Sequence, residues 1–335
     1  MGSLSCLQFS FVEFRLKQLE HRFRACRLRS QLVNLDNDTA IHCWVPASAL
    51  TSQDGQVGCK SSSSVAAVSK KPETKPALML IHGFAPNALL CWENQVGTLT
   101  KEFDVYIPDL LFFGNSTTKL TEKRWTESFQ AECLMQMLQL VGVQNQIQLV
   151  GTSYGGMVAF RMAEMYPNFV KKVVISSSGV GFMSTSLDEL LARSNVSSVS
   201  ELMLPSSVKG MKVFLANVTY KAMWLPNFIL HDMLQVLYEE NREERKQLLD
   251  HMVFGTKDAL PLPQLSQKFL IVWGEHDEIF NINLAYELQK HLGTSRAELV
   301  VMKNCGHIPQ IENPKEYNRI ILNFLKTCPQ NSTKD

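Results

Sequence analysis

One short stretch of the sequence constrains the fold most: Gly-Thr-Ser-Tyr-Gly-Gly at 151–156, between an apolar run and a run with helical periodicity. The two flanking patterns predict a strand that passes directly into a helix. So sharp a turn strains its apex residue, and side chains two positions away would collide. Gly151 and Gly155 leave that space, so the pattern predicts that Ser153 projects its hydroxyl at the end of a sheet.

Strands that are apolar throughout recur along the chain and alternate with helical segments. Such strands are buried on both faces, so the alternation predicts an α/β fold with a mostly parallel central sheet flanked by helices. The predicted strands occupy 39–46, 77–82, 103–110, 146–151, 170–178, 267–274 and 297–302. The predicted helices include 125–142, 157–167, 283–292 and a last helix that Asn313 caps and Pro314 begins.

An acid and a base are expected to follow the serine, because a serine hydroxyl is a weak nucleophile until a base accepts its proton. In this architecture the acid follows a late strand and the histidine comes near the end of the chain. Asp277 and His307 follow the last two predicted strands, at the edge where open α/β sheets carry their sites. We therefore predict a triad of Ser153, Asp277 and His307. Three neighbouring side chains remain alternatives: Glu275, His276 and Glu278.

Two backbone amides should stabilise the oxyanion that forms during acyl transfer. The amide after the nucleophile belongs to Tyr154, and the second should come from the loop after the first core strand. That loop reads His82-Gly83-Phe84, where a sharp turn would bring the Phe84 amide inward. The predicted oxyanion hole is therefore Phe84 with Tyr154, supported by His82 and Gly83.

The interval 181–262 interrupts the alternation of strands and helices. It contains helix-capping signals, such as Ser-Val-Ser-Glu at 198–201, and it is rich in Met, Leu and aromatic residues. We interpret it as a helical cap inserted into the core, while the serine-rich segment 52–76 is predicted to be a flexible loop. The predicted organisation is an N-terminal segment at 1–36, a core at 37–180 and 263–329, the cap at 181–262, and a tail at 330–335.

The N-terminal segment has the pattern of a basic amphipathic helix. Apolar residues recur at helical spacing, and residues 13–29 carry six Lys or Arg against two Glu. Such a helix fits peripheral contact with a membrane through residues 1–35, an organelle-targeting segment, or a helix packed on the domain. The apolar stripe consists of Val12, Leu16, Leu19, Phe23 and Cys26.

Composition excludes several other classes of protein. A net charge of +1 without a concentrated basic face gives no indication of a nucleic-acid partner. The eight cysteines show no paired spacing, so we expect neither a zinc site nor a disulfide framework, and a reducing intracellular compartment. The sequence contains no run of 18 apolar residues, so it does not predict a membrane-spanning helix. The oligomeric state stays open.

From Thr39 to Leu325 the chain resembles the α/β-hydrolase superfamily. The resemblance rests on Leu-Ile-His-Gly-Phe, Leu-Val-Gly-Thr-Ser-Tyr-Gly-Gly, Val-Trp-Gly-Glu-His-Asp-Glu-Ile-Phe and Cys-Gly-His-Ile-Pro-Gln-Ile-Glu-Asn-Pro. It is most similar to plant members that resemble monoacylglycerol lipases and meta-cleavage-product hydrolases. The resemblance implies the same triad and oxyanion hole, no cofactor and no metal. Phe112 departs from the family pattern, which often has glycine there, and is expected to reshape the pocket wall.

These observations predict a serine hydrolase that cleaves a carboxylic ester of a small lipophilic substrate through an acyl-enzyme on Ser153. The Met-rich and aromatic cap favours a lipophilic pocket, although the same residues could simply pack the cap helices together. Two alternatives stay open: hydrolysis of a carbon–carbon bond by the same triad, and a ligand receptor built on a hydrolase fold. Epoxide hydrolysis is excluded, because in this fold it uses an aspartate at the position of Ser153.

Overall fold

The computed structural model describes residues 9–49, 75–84, 87–120, 125–180, 184–252 and 262–327, without the side chains of 184–187. Nearly all of the predicted loop at 52–76, and the predicted tail at 330–335, lie outside the described residues. So does Met183, which contributed to the apolar character of the predicted cap.

A single sheet runs through the described part of the chain. It contains nine strands: β1 (Leu28–Asn34), β2 (Thr39–Pro46), β3 (Ala77–Ile81), β4 (Asp104–Pro108), β5 (Thr117–Thr118), β6 (Ile147–Thr152), β7 (Val170–Ser176), β8 (Lys268–Gly274) and β9 (Ala297–Met302).

The strand order is β1-β2-β4-β3-β6-β7-β8-β9, with the short β5 paired to β2. From β4 to β9 every neighbouring pair is parallel, whereas β2 runs antiparallel to β1, β4 and β5. The carboxyl ends of the parallel strands therefore meet at one edge of the sheet, which confirms the predicted α/β fold.

Helices surround the sheet and fill the interval between β7 and β8. Those of the core are α1 (Phe11–Ala25), α2 (Ala88–Trp92), α3 (Val96–Leu99), α4 (Glu127–Leu140), α5 (Tyr154–Met165), α11 (Asn283–Leu292), α12 (Pro309–Glu312) and α13 (Pro314–Lys326). Those between β7 and β8 are α6 (Ser184–Ser194), α7 (Val199–Met203), α8 (Val208–Val218), α9 (Asn227–Tyr238) and α10 (Arg242–His251). We call α6–α10 the cap helices.

The sheet is buried on both faces, which explains why its strands are apolar throughout. Successive side chains of a strand point to opposite faces, so Leu149 and Val150 of β6 belong to two different apolar clusters. The cluster that holds Leu149 also contains residues of α4, α5 and the cap helices, including Val158. The cluster that holds Val150 also contains residues of α2 and α13, including Tyr317. Helices thus cover both sides of the core.

The N-terminal helix α1 packs on the domain, as one of the three interpretations of its sequence predicted. Val12, Leu19 and Phe23 are buried, and Phe23 has no exposed surface. Burial of one such side chain contributes about 2 kcal/mol. The stripe that could have faced a membrane therefore faces the protein. No helix within the described ranges is long and apolar enough to cross a bilayer.

Strand β1 was missed by the sequence analysis, which left residues 28–34 in the basic N-terminal segment. Its Leu-Arg-Ser-Gln-Leu-Val-Asn sequence places polar and apolar residues on the same face, so it lacks strict alternation. The strand forms because β2 offers it a complete antiparallel partner, from Leu28 opposite Pro46 to Asn34 opposite Ala40. Long-range pairing of this kind leaves little trace in a local pattern.

Candidate active site

Ser153 lies at the apex of the turn between β6 and α5, with φ 53° and ψ −123°. This positive φ is strained for a residue that carries a side chain. The neighbouring glycines are required by backbone contacts. A methyl group at Gly151 would lie 2.2 Å from the Gly155 carbonyl oxygen, and one at Gly155 would lie 2.3 Å from the Ile81 carbonyl oxygen. The Ser153 amide donates to the Ser176 carbonyl at 2.9 Å, which ties the apex to the adjacent strand.

The three residues of the predicted triad lie together. The Ser153 Oγ is 3.0 Å from His307 Nε2, and His307 Nδ1 is 3.0 Å from Asp277 Oδ2. All three residues are buried. Asp277 follows β8 and His307 follows β9, so neighbouring strand ends bring acid and base to the serine. The arrangement allows the imidazole to accept the serine proton at Nε2 while the carboxylate holds the proton at Nδ1.

Backbone amides fix the orientation of the acid. The Ile279 and Phe280 amides both donate to Asp277 Oδ1 at 2.9 Å, so the carboxylate is held in place before it meets His307. The neighbours that the sequence left open point elsewhere. Glu278 forms an exposed ion pair with Arg193 at 3.3 Å, Glu275 lies 3.5 Å from the ring of His276, and that ring stacks on Tyr220.

The predicted oxyanion loop lies directly against Ser153. A methyl group at Gly83 would be 3.0 Å from the Ser153 Cβ, so only glycine lets the loop approach this closely. Tyr154 is the first residue of α5, where helix amides lack intrahelical acceptors and the helix dipole favours negative charge. Phe84 is buried beside it, with ring centroids 6.2 Å apart.

The His82 ring holds this loop in shape. Its Nδ1 donates to the Gly83 carbonyl at 2.6 Å, and its Nε2 accepts from the Leu110 amide at 2.9 Å. These two bonds require the neutral imidazole, with its proton on Nδ1. Burial lowers the pKa of His82 below its ordinary value, which favours the same neutral form. His82 therefore orients the loop and does not itself reach the substrate position.

Comparison with known proteins agrees with the fold. The family described as alpha/beta hydrolase fold matches residues 76–314. The chain belongs to this family. It is a hydrolase, as the sequence predicted. The matched range contains all three residues of the predicted triad and the loop of His82. The placement among plant members stays a prediction.

Several of the curated relatives are named as lipases. The chain is 26 % identical over 266 residues to the human monoacylglycerol lipase ABHD6, a match that covers 76 % of this chain and 77 % of the relative. It is 27 % identical over 240 residues to Lipase 1 of Psychrobacter immobilis, covering 70 % and 72 %. Among solved structures, a 2-hydroxy-6-oxo-6-phenylhexa-2,4-dienoate hydrolase from Rhodococcus superposes with a TM-score of 0.67 at 21 % identity, covering 90 % of this chain and 99 % of that chain. This superposition shows a shared fold.

A cavity opens beside the Ser153 hydroxyl, between the sheet and the cap helices. No charged residue is among the described residues that line it. Its walls are Phe84, Tyr154, Met157, Leu190, Val199, Leu202, Met203, Leu249, Met252, Ile279 and Phe280. A pocket of this composition suits an apolar ligand and offers no counter-ion to a charged one.

The sequence analysis left open whether the Met and aromatic residues of 181–262 line a lipophilic pocket or pack the cap helices together, and both occur. Of the described Met and aromatic residues in that interval, Met203 and Met252 line the cavity. Met211 and Phe214 are buried in the core, where they pack the cap helices, and Trp224 is exposed. Aliphatic residues such as Leu202 form much of the remaining cavity wall. Composition indicated the apolar character of the cap, but the direction of each side chain depends on how the helices pack.

Glu312 is a residue of the site region that sequence reasoning missed. One carboxylate oxygen accepts the Gly306 amide at 2.6 Å, and the other accepts the Tyr220 amide at 2.7 Å. The His307 amide donates to the Val218 carbonyl at 3.0 Å. The loop that carries the histidine is thus fastened to the segment that follows α8. The signal in the sequence was an acidic residue five positions after His307.

Phe112 has a positive φ, which explains why the family motif usually has glycine at this position. Its φ is 74°, a value that a bulky side chain rarely adopts. Its ring packs on Trp125 at 4.4 Å, and its carbonyl accepts from Arg245 Nε at 2.8 Å. Phe112 does not line the cavity beside Ser153, so the prediction that it reshapes the pocket wall was wrong. It anchors the cap helix α10 through Arg245.

Within the described ranges, no group of three or more His, Cys, Asp or Glu side chains is arranged to hold a metal ion.

Proposed function

We propose that this protein is a serine esterase that hydrolyses carboxylic esters with a lipophilic acyl group, through an acyl-enzyme on Ser153. One observation carries the proposal: the Ser153 Oγ lies 3.0 Å from His307 Nε2 and opens into an apolar cavity. The contact with the imidazole would activate the serine as a nucleophile, and the apolar lining would face the uncharged acyl group of an ester.

Acylation begins when the serine Oγ attacks the ester carbonyl carbon and His307 Nε2 takes its proton. Asp277 stabilises the imidazolium that forms. The carbonyl oxygen becomes an oxyanion, and the amides of Phe84 and Tyr154 would donate to it. The intermediate collapses, the carbon–oxygen bond to the alcohol breaks, and His307 returns its proton to the departing alcohol.

Deacylation repeats these steps with water as the nucleophile. His307 removes a proton from the water, the hydroxide oxygen attacks the acyl carbon, and the serine leaves as its proton returns from the imidazolium. The products are one carboxylic acid and one alcohol. No redox partner or cofactor is needed, because each proton removed by the imidazole is returned to a leaving group.

The wall of the cavity favours a neutral acyl chain over a substrate with a carboxylate. The dienoate hydrolase of the shared fold is named for a carboxylate-bearing substrate of carbon–carbon cleavage. Burying a carboxylate against these apolar side chains would leave its charge unpaired. We therefore rank ester cleavage above carbon–carbon cleavage. The lipase names of the relatives support a monoacylglycerol or a similar small acyl ester as the substrate class.

Labelling with a fluorophosphonate probe tests whether the serine is activated. The parent chain should be labelled and Ser153→Ala should not. Ser30→Ala is the matched control, because the Ser30 hydroxyl also contacts a histidine, His42, at 2.8 Å, and that ring contacts Asp109 at 2.7 Å. Label that persists in Ser153→Ala and disappears in Ser30→Ala would refute the proposal.

Turnover of a substrate panel then separates the three functions. An esterase should turn over p-nitrophenyl esters and a 1-acylglycerol many times per enzyme, with Ser153→Ala slower by several orders of magnitude. A carbon–carbon hydrolase would instead prefer a 2-hydroxy-6-oxo-dienoate. A receptor would give near-stoichiometric product and a rise in thermal stability with ligand. Either of the last two outcomes would overturn the ester assignment.

A further inference from the structure

Four exposed phenylalanine rings form one contiguous patch at the start of α1 and the start of α9. Phe9, Phe11, Phe14 and Phe228 expose between 49 % and 61 % of their surface. The rings touch in a chain, because the Phe9 centroid lies 4.9 Å from that of Phe11 and 5.7 Å from that of Phe14, and Phe11 lies 5.6 Å from Phe228. We call these four residues the phenylalanine patch. A contiguous exposed apolar surface marks an interaction site more often than scattered apolar residues do.

The packing of α1 determines that the patch faces outward. The opposite side of the helix is anchored by buried Val12, Leu19 and Phe23, and the Val12 amide donates to Asp232 Oδ2 on α9 at 2.8 Å. Phe11 and Phe14 therefore cannot turn inward without losing that anchor. The patch joins the N-terminal helix to a cap helix.

Basic side chains continue the same outward face of α1. Residues three or four apart on a helix lie on one side, so Phe11 is followed by Arg15 and Arg22, and Phe14 by Lys17. All of these are exposed. The two glutamates of the helix, Glu13 and Glu20, line a groove against α9, and Phe9, Phe11 and Phe228 border the same groove.

We propose that the phenylalanine patch and the basic face of α1 dock this protein on the surface of an anionic lipid bilayer. Phenylalanine at one end and Lys or Arg along the same face are what a helix lying in the bilayer interface presents, with rings in the acyl boundary and cations at the headgroups. Trp224, which is 83 % exposed, lies four residues before Phe228 and adds a residue type common at that interface.

The contact differs from the one that the sequence suggested. The apolar stripe from Val12 to Cys26 is used for internal packing, and the lipid-facing residues are those on the other side of the helix. The proposal does not depend on the proposed reaction, since it requires neither Ser153 nor a turnover step.

Vesicle flotation of the full-length chain tests the proposal. The probes are vesicles of phosphatidylcholine alone and of phosphatidylcholine with about a third phosphatidylserine. We expect the double variant Phe11→Ser/Phe14→Ser to lower the partition coefficient on the anionic vesicles at least tenfold. Leu32→Ser is the matched control, because Leu32 is equally exposed, at 50 %, on β1. Its partition should stay within twofold of the parent.

A charge variant separates the contribution of the basic side chains from that of the phenylalanine rings. Lys17→Gln/Arg22→Gln should weaken binding to the anionic vesicles several-fold and leave binding to neutral vesicles unchanged. Ser153→Ala should float like the parent, and all variants should hydrolyse a water-soluble ester at the rate of the parent, apart from Ser153→Ala. A failure here is therefore distinguishable from a failure of the esterase proposal.

Three outcomes would overturn the proposal. The first is a parent chain that fails to float with either kind of vesicle. The second is a loss in Leu32→Ser that equals the loss in the phenylalanine variant. The third is a parent dimer in size-exclusion chromatography with light scattering that the phenylalanine variant converts to monomer, because the patch would then bind a second copy of the chain.

Discussion

The turn that carries Ser153 and the cap helices above it contribute to one cavity by opposite means. The turn is specified by backbone contacts: Gly151 and Gly155 approach neighbouring carbonyls so closely that an added methyl group would overlap them. The cap contributes side-chain surface from several helices, with Leu190 on α6, Leu202 and Met203 on α7, and Leu249 on α10. The position of the hydroxyl is thus encoded in six consecutive residues, whereas the shape of the acyl pocket is distributed over about sixty.

This difference between backbone contacts and side-chain contacts predicts which positions tolerate substitution. A backbone carbonyl within a parallel sheet has no room to move, because its strand is bonded on both sides. An apolar side chain in a cap can be exchanged for another of similar volume at modest cost in stability. We therefore expect substitutions at the turn and its partners to abolish activity or folding, and substitutions in the cap to change which acyl chain is preferred.

After loss of the Ser153 hydroxyl itself, the largest effect on turnover should come from Asp277→Asn. The amide retains the size of the carboxylate, but its nitrogen cannot accept the proton of His307 Nδ1, so the ring is held in the wrong tautomer. In serine proteases the equivalent change lowers kcat by about ten-thousandfold. Hydrolysis of a p-nitrophenyl ester measures the effect.

Glu278→Gln is the control for that variant, because Glu278 pairs with exposed Arg193 and not with the histidine. Its turnover should stay within about twofold of the parent, as expected for a surface ion pair. Equal losses in the two variants would show that the acid has been assigned wrongly.

The next effect is on stability. Gly155→Ala places a methyl group 2.3 Å from the carbonyl oxygens of Ile81 and His82, and neither can yield, so the free energy of unfolding should fall by about 3 kcal/mol or more. Gly97→Ala is the contrast, since the added carbon meets only Cys26 Sγ at 3.9 Å within a helix. That change should raise stability by up to about 1 kcal/mol. Urea denaturation measures both, and equal losses would contradict the role of the backbone contacts.

A smaller effect is expected where the core and the cap meet. Glu312→Gln replaces one acceptor oxygen with a donor that faces an amide of Gly306 or Tyr220, so the loop of His307 should lose its fixed position. We expect kcat to fall about tenfold, the worth of one hydrogen bond to a charged group, with little change in KM. A rise in KM at constant kcat would mean that Glu312 acts on binding instead.

Glu316→Gln provides the comparison for Glu312. Glu316 is exposed on α13 and pairs with Arg319, four residues beyond the loop of the site. Its kcat and KM should both match those of the parent, because exposed pairs contribute little.

The smallest effect should come from the cap itself. Met203→Ala removes part of the cavity wall without touching the triad, so hydrolysis of an acetate ester should change by less than about threefold. The preference for long over short acyl chains should change by about fivefold, near the value of one or two methylene contacts. Met233→Ala, on α9 and outside the cavity, should leave that preference unchanged. If both variants change it equally, the cap does not select the acyl chain through direct contact.

Much of the core could be predicted from local patterns. Buried parallel strands and their helices have strong periodicities, so the predicted strand at 39–46 coincides with β2 and the one at 297–302 with β9. Chain order and the positions of strand ends are enough to predict Ser153, Asp277 and His307 as the triad. Strand β1 and Glu312 escaped prediction, because one forms by pairing with a distant strand and the other acts through amides of two distant segments.

The sequence by itself determined the fold class, the nucleophile turn and the order of acid and base, since each depends on spacing along the chain and on the conformational freedom of glycine. Only the tertiary structure decided which side of α1 is buried, which cap residues line the cavity, and that the rings of Phe11 and Phe228 meet at the surface. The reason is geometric. A local pattern specifies which residues share a face of a helix, but the packing of that helix against the others decides where the face points.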